Sequence, residues 1–374
     1  MIKKSLLLGV AFALGMATPA AAQGRRTPTP NDTLQSVRVL PNGNTVFSIY
    51  APKARKVTLS CEAVNPFDPN SKVITTAQPN GVWTFEVPKG IAGHYRYTFN
   101  VDGVTVIDPK SEIATQNRPI AMIENGNEFF SYRKDIPHGA IAVRTYESKE
   151  IGTTRTMRVW TPAGYEKGKD KLPVLYLIHG GGDTDTSWPT AGAACNILDN
   201  LLADGKMKPM IVVMPNGTIQ GPNVHDEVPI FARDMMTDII PYIESNYRVL
   251  TDKNNRAVAG LSMGGMETLE VSLHNVDKFA YVWVLSSSFN PNKKDLSEEA
   301  ALLKTIAPDI KKNWKEFVFT QGGPTDIAYN NGKNTRKVFD EAGISYEYMD
   351  VEGGHSWIAW RQNLYDLAQR IFKK

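Results

Sequence analysis

The 374-residue chain carries 42 Lys plus Arg against 39 Asp plus Glu, a net charge of +3, with 42% hydrophobic and 22% charged residues. This balance excludes a disordered chain and a nucleic-acid-binding basic footprint, and the length exceeds one ordinary domain, so a soluble globular chain of two domains is expected. Only two cysteines occur, Cys61 and Cys195; they are expected in different domains as small buried apolar residues rather than as a disulfide.

Met1 to Ala22 has the build of a secretory leader: Lys3 and Lys4 form a basic start, Leu6 to Met16 an apolar stretch, and Ala20, Ala21 and Ala22 a small-residue cleavage site. The apolar stretch is too short to span a bilayer, no later segment reaches about 18 apolar residues, and no Cys stands at the cleavage point. The expectation is an exported, soluble mature chain beginning near Gln23, with residues 23–34, rich in Pro, Thr, Arg and Asn, as a flexible lead-in.

Short strands with period-two patterning follow at Thr45 to Tyr50, Lys56 to Cys61, Val82 to Val87 and His94 to Val101. Turn signals separate them at Pro41-Asn42-Gly43, Pro79-Asn80-Gly81 and Asp102-Gly103, and no helix interrupts, which predicts a small β-sandwich over 35–128. The phrasing F-S-I-Y-A-P-K-A-R-K-V-T-L, G-V-W-T-F-E-V and Y-R-Y-T-F-N-V-D-G resembles the early-set immunoglobulin-like module that precedes the catalytic domain of glycogen-branching enzymes. That resemblance, over about residues 35 to 125, implies a module that in some relatives binds α-glucans and in others packs on its neighbour. Trp83, Tyr95 and Tyr97 could stack on sugars, though aromatics in alternating strands more often form core.

Ile120 to His138 reads as linker and entry to a second domain, 129–374. There, strands at Thr156 to Thr161, Val174 to Ile178, Met210 to Met214, Ala257 to Ala259, Tyr281 to Leu285, Glu316 to Thr320 and Tyr346 to Val351 alternate with helical stretches such as Ala193 to Asp204, Phe231 to Ser245 and Leu364 to Phe372. Most of these strands are near-continuous apolar runs, as strands covered on both faces must be, so the fold class is α/β with a mostly parallel sheet.

Within it, Gly260-Leu261-Ser262-Met263-Gly264 lies between an apolar strand and a helix-competent segment. G-x-S-x-G in that setting is the nucleophile elbow of α/β-hydrolases, which makes Ser262 the candidate nucleophile and the Met263 N–H an oxyanion donor. Such a fold needs its acid after the nucleophile and its base last. His355, in Glu352-Gly353-Gly354-His355-Ser356-Trp357, is the histidine far enough along the chain to follow the last strand. His94 and His274 read as incidental, and His179 as ordering its loop. Asp326, in the loop after Glu316 to Thr320, is the candidate acid, with Asp350 at the end of the next strand as the alternative. His179-Gly180-Gly181-Gly182 offers bare backbone for the second oxyanion donor, Gly181, or else Gly182. No phosphate-loop or dinucleotide fingerprint and no metal-ligand spacing occurs, so neither cofactor nor metal is expected.

The succession Pro137-His138-Gly139, R-V-W-T-P-A-G-Y, L-P-V-L-Y-L-I-H-G-G-G, Asp183 to Trp188, M-I-V-V-M-P-N-G, A-G-L-S-M-G-G and G-G-H-S-W-I-A-W-R resembles the esterase D-like carbohydrate esterases, which include feruloyl and acetyl xylan esterases. Over residues 137 to 372 the resemblance implies a Ser262, His355, Asp326 triad with Gly181 and Met263 as oxyanion donors. It further implies a serine esterase that cleaves feruloyl esters of plant cell-wall arabinoxylan. The indole beside the base in His355-Ser356-Trp357 makes Trp357 the candidate contact for an aromatic acid, the alternative being that Trp357 and Trp360 only pack the loop. Acetyl xylan esterase and enterochelin-type siderophore esterase are the alternatives within the class, and a glycan-binding protein with an inactive hydrolase domain is the alternative outside it. Acyl preference is expected to depend on the loops Gly217 to Pro229 and Ser287 to Leu296.

Overall fold

Period-two patterning in the first third of the chain becomes two antiparallel sheets facing one another across an aromatic core. The computed structural model describes residues 27–64, 73–111, 114–115, 118–124, 126–219 and 224–373; the secretory leader expected at 1–22 lies outside them. Strands β1 (Val37–Val39), β2 (Thr45–Tyr50), β3 (Val57–Cys61), β4 (Ile74–Ala77), β5 (Val82–Val87), β6 (Gly93–Val101), β7 (Val104–Val106), β8 (Ala114–Thr115) and β9 (Arg118–Ile123) form the module. One sheet has the order β1-β2-β5-β4; the other runs β3-β6-β9-β8, with β7 hairpinned onto β6. Phe47, Phe85, Tyr97 and Phe99 fill the space between them and are essentially inaccessible. Tyr95 is buried too, and Trp83 is half-buried with its indole N–H donating to the Ala51 carbonyl, so these rings take part in packing the sandwich.

Two expectations change here. Residues 120–123 were expected to open the linker, but they belong to β9, which pairs with β6 through Gly93↔Ile123 to Arg96↔Ile120. The alternation Pro-Ile-Ala-Met-Ile is nearly all apolar, so periodicity alone does not mark it as a strand. The second domain begins with a hairpin of which only one strand was expected: β11 (Thr153–Thr161) contains the strand at Thr156 to Thr161, while its partner β10 (Ala140–Ser148) went unanticipated. Most of β10 is exposed, as an edge strand can be, which leaves it without the apolar signal of its neighbours.

The remaining strands are β12 (Val174–Ile178), β13 (Ile211–Pro215), β14 (Arg256–Leu261), β15 (Tyr281–Leu285), β16 (Glu316–Gln321) and β17 (Glu347–Asp350). With the hairpin they make one eight-stranded sheet, ordered β10-β11-β13-β12-β14-β15-β16-β17, in which β12 to β17 are parallel. Parallel neighbours need crossovers, and helices supply them: α1 (Ala194–Ala203), α2 (Val224–Asp234), α3 (Ile240–Asn246), α4 (Met263–Leu273), α5 (Ser297–Asn313) and α6 (Tyr329–Glu341), with α7 (Trp357–Arg370) last. Along β12, Leu175 and Leu177 face the α1/α7 layer while Val174, Tyr176 and Ile178 face the α2–α6 layer, which is why the strand reads as one apolar run. Helix α7 starts seven residues before the expected Leu364, because the Ser356 hydroxyl caps it by accepting from the Ile358 N–H.

Cys61 and Cys195 are both free thiols, one in each domain, and burial pushes each up to about 12, which keeps them protonated and unreactive. No helix among the described residues is long and apolar enough to cross a membrane.

Candidate active site

Strand β14 must turn sharply into α4, and two glycines permit it. A Cβ on Gly260 would meet the Gly264 carbonyl oxygen at 2.1 Å, and one on Gly264 would meet the His179 carbonyl oxygen at 2.3 Å. Ser262 between them is held at φ 53°, ψ −117°, a conformation costing a side-chain-bearing residue on the order of 1–3 kcal/mol. Neighbouring backbone holds it there: the Ser262 N–H donates to the Leu285 carbonyl at 2.9 Å, and the Gly265 N–H donates to the Ser262 carbonyl at 3.0 Å. Met263 is the first residue of α4, where no preceding helical turn exists to take its N–H.

The C-terminal ends of three other strands bring the remaining groups to this point. After β17, His355 stands in the Gly353-Gly354 loop, with its Nε2 2.9 Å from the Ser262 hydroxyl. After β16, Asp326 Oδ1 accepts from His355 Nδ1 at 2.7 Å. The carboxylate is fixed on its other sides by the Ala328 N–H to Oδ1 and the Gly322 N–H to Oδ2, each at 2.8 Å. Burial alone would raise its pKa, but the His355 bond and these backbone donors outweigh burial and hold it at about 2. With Nδ1–H committed to an ionised carboxylate, Nε2 of the neutral ring can only accept, so the Ser262 hydroxyl donates to it. The alternative acid is not part of this chain of contacts: Asp350 is exposed and takes the Tyr348 hydroxyl.

After β12, Gly180, Gly181 and Gly182 border the same cavity as Ser262 and His355, with Gly181 on the Met263 side. His179 does order this loop. It is fully buried, its Nδ1–H bonds the Gly180 carbonyl at 2.9 Å, and its Nε2 accepts from the Gly217 N–H at 2.9 Å; burial keeps its pKa below the usual value and the ring neutral.

The cavity at Ser262 is about 390 Å³. Leu261, Trp357, Ile358 and Trp360 give it an apolar wall. Trp357 is therefore a lining residue and a packing residue at once, set edge-on against Trp188 at 5.1 Å and against Trp360 at 5.2 Å. Trp360 in turn sits edge-on to the His355 ring at 5.1 Å.

Another part of the lining was not foreseen. It comes from the N-terminal sandwich: Glu62 after β3, His94, Tyr95 and Arg96 on β6, and Arg118 on β9. His94, expected to be incidental, lines the cavity and binds the Thr190 carbonyl through Nδ1 at 3.0 Å. No described residue of 217–229 or 287–296 lines the cavity; Phe289, Asn290 and Lys293 instead border a separate one behind α4. Among the described residues no group of three or more His, Cys, Asp or Glu is placed to hold a metal ion.

Comparison with known proteins places the chain among esterases. Residues 148–371 match the family model described as "Putative esterase", and residues 35–114 match carbohydrate-binding module 48, the isoamylase N-terminal domain. The chain is 33% identical over 379 residues to an endo-1,4-beta-xylanase/feruloyl esterase of Xylanibacter ruminicola, an alignment covering 94% of this chain and 49% of that protein. It is 30% identical over 234 residues to endo-1,4-beta-xylanase Y of Acetivibrio thermocellus, covering 59% of this chain and 20% of that one. The chain thus spans half or less of the length of these relatives. A solved ferulic acid esterase is 27% identical, with a TM-score of 0.54, over 63% of this chain and 97% of that one. The enterobactin esterase of Shigella flexneri, at 16% identity, shares the fold over 87% of this chain and 93% of its own, with a TM-score of 0.61. The chain belongs to the esterase family, as an α/β-hydrolase preceded by a module-48 β-sandwich.

Proposed function

We propose that this protein is an exported serine carboxylic-ester hydrolase that removes feruloyl groups from plant cell-wall arabinoxylan. The observation that carries the reading is the unbroken relay from the Ser262 hydroxyl through His355 to the ionised Asp326, opening on a cavity with an aromatic wall. In this mechanism His355 takes the Ser262 proton as the oxygen attacks the ester carbonyl. The N–H groups of Gly181 and Met263 receive the oxyanion, and the alcohol leaves with the proton from His355. Water activated by the same imidazole then releases the acid. Loss of one oxyanion donor would remove about 3 kcal/mol of transition-state stabilisation.

The choice of acyl group rests on space and surroundings. A cavity of about 390 Å³ is far larger than an acetyl group needs and suits an aromatic acid set beside Trp357. The names of two relatives, the Xylanibacter xylanase/feruloyl esterase and the solved ferulic acid esterase, point the same way. Residues 35–128, with two facing antiparallel sheets, fit an immunoglobulin-like sandwich, and 129–374 the esterase domain. Export rests on the leader at Met1 to Ala22.

Comparing kcat/KM on methyl ferulate, acetylated xylan and a catechol siderophore tests the reading, with methyl ferulate expected to be preferred. In the same assay Trp357→Ala should raise KM for methyl ferulate by about 10-fold while changing KM for a small acetyl ester little, as removal of a contact made equally in ground and transition states does. Preference for either of the other substrates removes the feruloyl assignment. Equal losses on both esters reduce Trp357 to packing.

A further inference from the structure

The loop that presents Gly181 is a four-residue turn, closed by the Asp183 N–H donating to the Gly180 carbonyl at 3.2 Å, with Gly182 at φ +73° in its third position. That is the pattern of a type II turn, in which the second residue, here Gly181, is carried at the tip. The Asp183 carbonyl is tied down by the Thr218 hydroxyl at 3.1 Å. The Asp183 carboxylate faces inward, with the side chain only 7% exposed, and its cationic partner comes from the other domain: the Arg96 guanidinium on β6, itself 8% exposed, bonds Asp183 Oδ1 through Nη2. The same nitrogen reaches the Ser187 hydroxyl at 3.4 Å, and that hydroxyl accepts from the Thr184 N–H at 3.2 Å. Arg96 therefore grips the segment 183–187 immediately after the turn. On its other side it lies 5.9 Å from the centre of the Trp357 ring, two residues beyond His355, and within 3.7 Å of Glu62.

We propose that Arg96 is a positioning residue for ester hydrolysis: the N-terminal sandwich, through its ion pair with Asp183, sets the height of the Gly181 N–H over Ser262. The inference rests on the reading of Gly181 as an oxyanion donor. A buried carboxylate deprived of its cation takes up a proton or moves toward water, and either way the grip on the residue that closes the turn is lost. Because the oxyanion exists only in the transition state, the loss should fall on kcat and leave KM nearly untouched. On this view the sandwich is part of the catalytic apparatus, whether or not it also touches the polysaccharide.

The test compares full-length Arg96→Met, Asp183→Asn, the double variant and Ser262→Ala on methyl ferulate, with active sites titrated in all but Ser262→Ala, which is compared per mole of protein. Arg96→Met is expected to lower kcat by about 10- to 100-fold with KM within about 3-fold of the parent. A boronic acid that forms a tetrahedral adduct should bind more weakly by a similar factor, while free ferulate binds unchanged. Adding Asp183→Asn to Arg96→Met should cost less than about 3-fold more, the non-additivity of two members of one unit. A titrated kcat within about twofold of the parent, even with a lowered Tm, overturns the proposal and leaves Arg96 a structural bridge. Should Arg96→Met not fold, Arg96→Lys decides: it keeps the charge but loses the forked geometry, so about a 10-fold fall in kcat at constant KM supports the proposal and an unchanged kcat overturns it. A Ser262→Ala variant as active as the parent overturns the underlying reading of the site, and this proposal with it, whatever Arg96→Met does.

Discussion

Ser262→Ala should lower kcat by about 10⁵- to 10⁶-fold while leaving Tm and the circular dichroism spectrum essentially unchanged. Nucleophile and base act as one unit, so removing the hydroxyl removes the acyl-enzyme route entirely and leaves only what the oxyanion donors and binding can do for water. Stability should survive, because the Ser262 contacts that hold the elbow are made by its backbone N–H and carbonyl, which alanine retains. The positive φ remains as strained for alanine as for serine. A folded variant with more than a few per cent of parental activity would remove the serine-esterase reading.

Asp326→Asn should cost about 10³- to 10⁴-fold in kcat. The carboxylate accepts from His355 Nδ1, whereas an amide nitrogen placed there would donate and force the proton onto Nε2, where it blocks uptake of the serine proton. The carboxyl titrates at about 2, below its ordinary 3.8, so its stabilising contribution is complete above about pH 4 and is lost as pH falls toward 2. A comparison at pH 7 therefore reads the tautomer against a fully ionised parent. Asp350→Asn, by contrast, trims an exposed side chain whose hydroxyl partner is Tyr348, and its effect should stay within about 0.5 kcal/mol of stability with kcat near normal. The two variants belong in one assay after a check for folding. A near-normal Asp326→Asn beside an inactive Asp350→Asn would move the acid one strand later.

Which features were legible in the sequence follows from how local their causes are. Ser262 declares itself because the elbow is a backbone constraint met within five residues, Gly260 to Gly264. His355 and Asp326 declare themselves because each strand of a parallel sheet delivers its following loop to the same edge, so order along the chain becomes position in space. Trp357 was half legible: its place beside the base is local, but its contact with Trp188 depends on how α7 packs. The sandwich wall was not legible at all. Arg96 and Asp183 stand 87 residues apart, and nothing in H-Y-R-Y-T-F-N-V distinguishes an arginine facing a second domain from one facing water. Only the docking of the two domains decides it. Strand β10 escaped for the opposite reason, since an exposed edge lacks the apolar run that identified its neighbours.

The central claim is that Ser262 becomes acylated, and it can be read directly. The enzyme is mixed with 4-nitrophenyl ferulate at steady state and quenched in acid, and its peptides are examined by mass spectrometry, with Ser262→Ala run alongside. The expected result is a single feruloyl group on the peptide that contains Ser262, absent from the alanine variant. Turnover of the ester with no covalent label, or with the label on another residue, would contradict it.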